Sequence, residues 1–157
     1  MKVRLRPAFV LWHRWFGLLA AVWLILMAVT GSIIVYYDEL DVLLNPDTRT
    51  VSEYSEGHLP LGEILSSVEK SVPGTYAGYV DFSNQPTDAY RVLLRAKENI
   101  TLPASINLEI FVNPYTGEVL GSRDFGSIQF DRNHIMGLIY QLHIDLLLGP
   151  PWYGFLA

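Results

Sequence analysis

Uncharged, mostly apolar residues run without interruption from Trp15 to Tyr37. A helix of that length rises roughly 35 Å at ~1.5 Å per residue, enough to cross the ~30 Å hydrocarbon core of a bilayer. The pattern therefore predicts a transmembrane helix over 15–37. Lys2, Arg4, Arg6 and Arg14 precede it with no acid among them, and Asp38, Glu39 and Asp41 follow it. The positive-inside rule places residues 1–14 in the cytoplasm as a basic arm and everything after Tyr37 outside. Trp12, Trp15, Tyr36 and Tyr37 stand near the two ends, as an aromatic belt would. The competing reading is a cleaved secretory signal, with Ala28-Val29-Thr30-Gly31 imitating a cleavage site. Signal cores run only about 7–15 apolar residues, so the length favours an uncleaved anchor.

After Tyr37 the pattern changes, and residues 38–126 read as one small external module. Asn45-Pro46-Asp47 is a turn signal. Leu61, Ile64, Leu65 and Val68 keep the i, i+3, i+4, i+7 spacing of an amphipathic helix, and Pro73-Gly74 stops it. Three β-rich runs follow, Tyr76 to Phe82, Tyr90 to Arg95 and Leu108 to Val112. Asn113-Pro114-Tyr115-Thr116-Gly117 then turns the chain back through Glu118-Val119-Leu120. One helix packed on a small antiparallel sheet satisfies this pattern. Such a core is thin, so support from the membrane part or a partner is expected. The fold class is thus an α+β membrane protein.

A third part, 127–149, carries the stripe Ile135, Leu138, Ile139, Leu142 and Leu146 and reads as an interfacial amphipathic helix. Gly149-Pro150-Pro151 would stop or kink it. Residues 150–157, ending Trp152-Tyr153-Gly154-Phe155-Leu156-Ala157, read as the start of a second transmembrane helix cut short. The alternative is a natural terminus resting in the membrane interface. On the first reading the chain is the N-terminal fragment of a longer protein.

Composition sharpens this picture. Apolar residues make up 50% and charged ones 17%, with a formal net charge of −5. With four basic residues in the first fourteen positions, the remainder holds sixteen acids against seven basic residues. An acidic external part argues against nucleic acid as a partner, because phosphate binding needs a basic surface. The absence of cysteine excludes disulfides, thiolate zinc, iron–sulfur clusters and covalent haem attachment. Asn99-Ile100-Thr101 matches a glycosylation sequon, a short motif of little weight.

The candidate chemistry lies in four histidines. His58 sits in a polar loop and reads as solvated. His13, His134 and His143 fall at membrane boundaries, where an ionisable side chain is a functional hypothesis by default. Each also has an ordinary reading. His13 beside Arg14 suits the headgroup region, and the other two suit hydrogen bonding on a surface helix. If they ligate iron, His13 is separated from the outer pair by roughly 30 Å of span. His134 and His143, nine apart, would face opposite sides of one helix, ~13 Å apart along its axis. No two of the three can share an iron, so each needs an imidazole from later helices or another subunit. Haem, if bound, would lie near each membrane face.

The residues Leu11-Trp12-His13-Arg14-Trp15-Phe16-Gly17 with Thr30-Gly31 resemble the first helix of PepSY-associated transmembrane proteins. Asp38-Glu39-Leu40-Asp41 leading to Leu44-Asn45-Pro46 resembles the exit from that helix. Val112-Asn113-Pro114-Tyr115-Thr116-Gly117-Glu118-Val119-Leu120-Gly121 resembles the closing hairpin of the PepSY domain, and Leu142-His143 with Leu146-Leu147-Leu148-Gly149 the entry to the second helix. The resemblance covers the whole chain in order. It implies a bacterial inner-membrane protein with a periplasmic PepSY domain, of a kind that includes iron-regulated ferric-siderophore reductases holding haem b on helix histidines. Carried over by position, His13 and His143 are the axial ligands, each at a different haem, and His134 is a weaker third. Arg14 and Arg132 are positioned to pair with haem propionates, although lipid phosphate is the ordinary partner for both. The later helices of the family are absent from these residues, so the chain alone is not expected to be active. The competing function is a membrane-tethered PepSY module that binds or inhibits periplasmic proteins or peptidases without redox chemistry.

Overall fold

The computed structural model describes residues 5–52, 57–83, 85–97 and 108–147. The sequon at 99–101 and the expected second membrane segment at 150–157 lie outside these residues. The chain divides into two compact units, one formed by Met1–Tyr36 with Ile139–Ala157 and the other by Tyr37–Leu138.

In the first unit, helix α1 runs Leu5–Ile34. Its stretch Arg6–Ile34 has a mean hydropathy of 2.3 and is long and apolar enough to cross a membrane. Trp15, Phe16, Leu19, Val22 and Leu24 all point outward, more than 60% exposed, which suits a lipid solvent and not water. The helix begins well before the expected Trp15, because the basic arm continues it. It ends three residues earlier than expected, where Tyr36 N–H bonds the Ile33 carbonyl at 3.1 Å and tightens the last turn.

The second unit begins with two short helices that the sequence pattern did not announce, α2 (Tyr37–Leu44) and α3 (Pro46–Arg49). Asp38 and Glu39 occupy the first turn of α2, where the helix dipole favours acids. Pro46 starts α3 because proline needs no N–H at the first helical position. Helix α4 (Leu61–Ser71) and strands β1 (Thr75–Asp81), β2 (Tyr90–Ala96), β3 (Leu108–Val112) and β4 (Val119–Asp124) follow. The strands form an antiparallel sheet in the order β1-β2-β3-β4. The β3–β4 turn closes as expected, with the Asn113 carboxamide oxygen accepting from Tyr115 and Thr116 N–H and Gly117 in the left-handed region.

Ile64 and Val68 of α4 pack on Tyr90, Val92, Leu94, Ile110 and Val112, the core of the module. The other face of the sheet is covered over its β3–β4 half by α2 and α3. There Phe111 is fully buried and Thr48 lies over Gly121, where any Cβ would collide with it at 2.6 Å. Helix α5 (Ile135–Asp145) starts in this unit, where Met136 and Leu138 are buried, and finishes in the first. The helix is shorter than the 127–149 reading: residues 127–134 form a loop and turn, and Leu146 and Leu147 both take positive φ. The α+β class and the long apolar N-terminal helix stand as read from the sequence.

Candidate functional site

His143 is the sequence-nominated residue with the most built surroundings. Within the first unit its Nδ1 lies 2.9 Å from Thr30 Oγ1. Thr30 is 4% exposed, and its hydroxyl donates to the Leu26 carbonyl at 2.7 Å, one turn back along α1. A hydroxyl has one proton. With that proton given to Leu26, the shorter of the two contacts, the oxygen is left to accept from His143, an arrangement that calls for the Nδ1–H tautomer of the imidazole. The Nε2 lone pair is left available. Gly31 makes this approach possible: a Cβ there would stand 3.1 Å from His143 Cε1. Thr30-Gly31 is thus a seat for the ring. Two residues beyond His143, Asp145 is buried and its carboxylate accepts from Leu147 N–H at 3.0 Å. The consecutive left-handed leucines there cost roughly 1–2 kcal/mol each, so the helix stops under strain just past the histidine.

His13 and Arg14 are exposed near the other end of α1. Arg14 flanks a shallow groove with Arg6, Pro7, Val10 and Leu11. Eighteen residues separate His13 from Gly31, which is five turns, so both lie on one face of the helix about 27 Å apart. This is close to the expected separation of levels and again too far for a shared metal.

His134 belongs to the second unit and stands before α5, so helical phase does not relate it to His143. Its carbonyl accepts from Leu138 N–H at 2.8 Å, and its ring Nδ1 is held by Asp131 at 2.8 and 2.9 Å. Asp131 also accepts from the N–H groups of Asn133 and His134 and so caps the turn. The His134 ring, followed by its backbone bond, holds the exposed Asp131 carboxyl below its ordinary range. Arg132 is exposed and donates to Asp47 at 2.7 Å. His58 is exposed, as its polar loop implies, yet its Nδ1 meets the Tyr90 hydroxyl at 2.5 Å and its ring edge meets Tyr115. Burial, and then Tyr115, push the Tyr90 phenol above its usual value.

The most heavily charged part of the second unit escaped sequence reasoning. Arg123 is buried and donates Nε to Glu109 at 2.6 Å, Nη1 to Asp41 at 2.7 Å and Nη2 to the Tyr37 hydroxyl at 3.0 Å. Arg49 pairs with Asp38 at 2.8 Å and with Asp41 at 3.2 Å. Both guanidinium groups lie over the Phe111 ring, Arg123 at 5.0 Å and Arg49 at 5.4 Å from its centroid. Burial alone would lower the Arg123 pKa, but the Asp41 hydrogen bond and the Glu109 charge outweigh it and keep it raised. Beside this network lies a cleft of about 610 Å³ lined by Asp38, Glu39, Asp81, Asp88, Arg49 and Arg91 among others. Asp38 and Asp81 are engaged by the arginines and Asp88 by Ser83. Among the described residues no group of three or more acidic, histidine or cysteine side chains is arranged to hold a metal ion.

An apolar helix that bears His13 and seats His143 of α5 on its Thr30-Gly31 step, joined to an α+β module with a buried ionic face, defines a membrane-anchored protein. Residues 10–157 match the PepSY-associated TM region, and the chain belongs to that family. No curated protein matches the chain.

Proposed function

We propose that the chain works in an inner-membrane b-type haem protein that passes electrons across the bilayer and reduces ferric siderophores at the periplasmic face. The observation that carries this reading is the Thr30–His143 pair. Iron takes the lone pair of a neutral imidazole, and ligating histidines characteristically donate their other N–H to a fixed acceptor. Thr30 is such an acceptor, so the residues fit the group.

In this reading His143 would hold one haem through Nε2 and His13 another near the opposite end of α1. A second imidazole at each iron would have to be supplied from outside these residues. Haem with two imidazole ligands supplies one-electron transfer without an open position for oxygen or substrate. The chain's own residues do the rest: Thr30 orients His143, Gly31 admits the ring, and the apolar flank of α1 keeps water from the path. Arg14 and Arg132 are the proposed propionate partners, Arg132 by exchanging its Asp47 contact. The N-terminus is cytoplasmic and the module periplasmic, on the charge asymmetry about α1.

Optical spectra of the detergent-purified protein containing this chain, oxidised and dithionite-reduced, test the reading. A sharp reduced α-band of the b type, lost on His143→Ala, supports it. A protein without haem overturns it. The binding-module reading is favoured by one feature: among the described residues β1 pairs only with β2 and exposes Tyr76 and Tyr79, a form suited to strand addition by a peptide. That reading requires no haem and is indifferent to His13 and His143.

A further inference from the structure

Between β4 and α5 the chain presents apolar side chains on a braced loop. Ile128 is 58% exposed and Phe130 84%, the largest exposure of any large apolar residue in the described chain. The loop Phe125-Gly126-Ser127-Ile128-Gln129-Phe130 contains no charge. Its fold is fixed by its own bonds: Ser127 N–H to the Asp124 carbonyl at 3.2 Å, Gln129 N–H to the Ser127 carbonyl at 3.0 Å, and the Gln129 carboxamide to Ser127 Oγ at 2.7 Å. The residues after it are tied down as well. Asn45 donates to the Arg132 carbonyl at 3.1 Å, and Arg123 to the Asn133 carbonyl at 3.1 Å. A chain with this many anchors holds Ile128 and Phe130 outward, when collapse onto the module would remove them from water.

We infer that the 125–130 loop is a membrane-contact element whose Ile128 and Phe130 enter the interfacial layer of the bilayer that α1 spans. The argument for lipid as occupant is continuity with the span. Asn45, which holds the loop's flank, closes α2, and α2 begins three residues after α1 ends at Ile34. The eight residues of α2 cover only ~12 Å, so only a short length of chain joins this flank to the end of the span. Leu43, two residues before Asn45, is itself 75% exposed. Aromatic and branched apolar side chains beside a short tether are the composition that partitions into the headgroup boundary. The inference stands on the membrane span alone and is independent of haem.

The chain has no cysteine, so single-cysteine labelling is clean. Phe130→Cys and, separately, Ile128→Cys are made in the full chain, labelled with a nitroxide and reconstituted into dioleoylphosphatidylcholine vesicles. Glu118→Cys, on the exposed β3–β4 turn, is the solvent reference. Accessibility to oxygen relative to a water-soluble nickel chelate is expected to be severalfold higher at 128 and 130 than at 118. Equal ratios at all three sites overturn the inference, because the loop then lies in water. A label at 130 shielded from both oxygen and nickel also overturns it, because a protein surface then covers the loop. Both variants replace exposed residues, so loss of fold is not expected at either, and agreement between them excludes a local artefact.

Discussion

Thr30 Oγ1 accepts from His143 Nδ1 at 2.9 Å while giving its own proton to the Leu26 carbonyl at 2.7 Å. The two partners are 113 residues apart in the chain, and the bond sets which ring nitrogen of His143 is left bare. Thr30→Val keeps the shape of the side chain and removes the acceptor. A ligand whose N–H loses its partner is less basic and less well oriented. On the proposed haem reading, haem affinity is expected to fall about 10–100-fold, with the remaining haem shifted to a higher midpoint potential. Haem titration and redox potentiometry check both. Unchanged values in Thr30→Val would separate this hydroxyl from the iron.

If His13 and His143 each hold a haem as proposed, His13→Ala and His143→Ala are expected to remove different redox components. About 27 Å of helix lies between the two levels, well beyond the 7–10 Å at which substitutions couple. Each single variant should lose one step of a two-step potentiometric titration and leave the other near its original potential. Loss of both steps in either variant would point to a single shared site.

How much of this was legible in the sequence follows from the range of the interactions. The α4 stripe and the four strands depend on local periodicity, and the sequence pattern finds them within a residue or two, β4 only at its start. Asp41 reads only as one of three acids after a membrane helix, yet it is fully buried, because its partner Arg123 arrives from 82 residues away. No local rule announces such a pairing. The same holds for Thr30-Gly31, visible as a family pattern but explained only when His143 docks on it. Asp131 with His134 three residues on was readable, since an acid before an apolar helix is an ordinary cap signal.

The buried ionic face predicts a strong and specific response at Arg123. Arg123→Ala leaves Asp41 and Glu109, 0% and 8% exposed as side chains, without their shared cation. Breaking a buried pair from one side costs about 3–5 kcal/mol. Amide hydrogen exchange should show protection lost in β3, β4 and α2, while α4 and β1 change less. Arg123→Lys is expected to rescue poorly. One ammonium cannot reproduce the fork that reaches Glu109, Asp41, the Asn133 carbonyl and Tyr37 together. Full rescue by lysine would mean that charge alone matters at this position.

Tyr37 closes the same network and gives it an alkaline limit. Burial raises its pKa above the ordinary ~10, and the neighbouring Arg123 only partly offsets this. The folded protein therefore holds the phenol proton more tightly than the unfolded chain does. The stability this contributes is fully present below the unfolded value of ~10 and is lost as pH rises through the higher folded value. Tyr90 is shifted in the same direction. Tyr37, the more strongly shifted of the two, should be missing from the tyrosinate absorbance of the folded protein at a pH where an exposed phenol ionises. Its signal should appear together with unfolding, and Tyr37→Phe should remove that late step. A smooth, reversible titration of every tyrosine near the ordinary value would show that water reaches Tyr37 and that the Arg123 network is open.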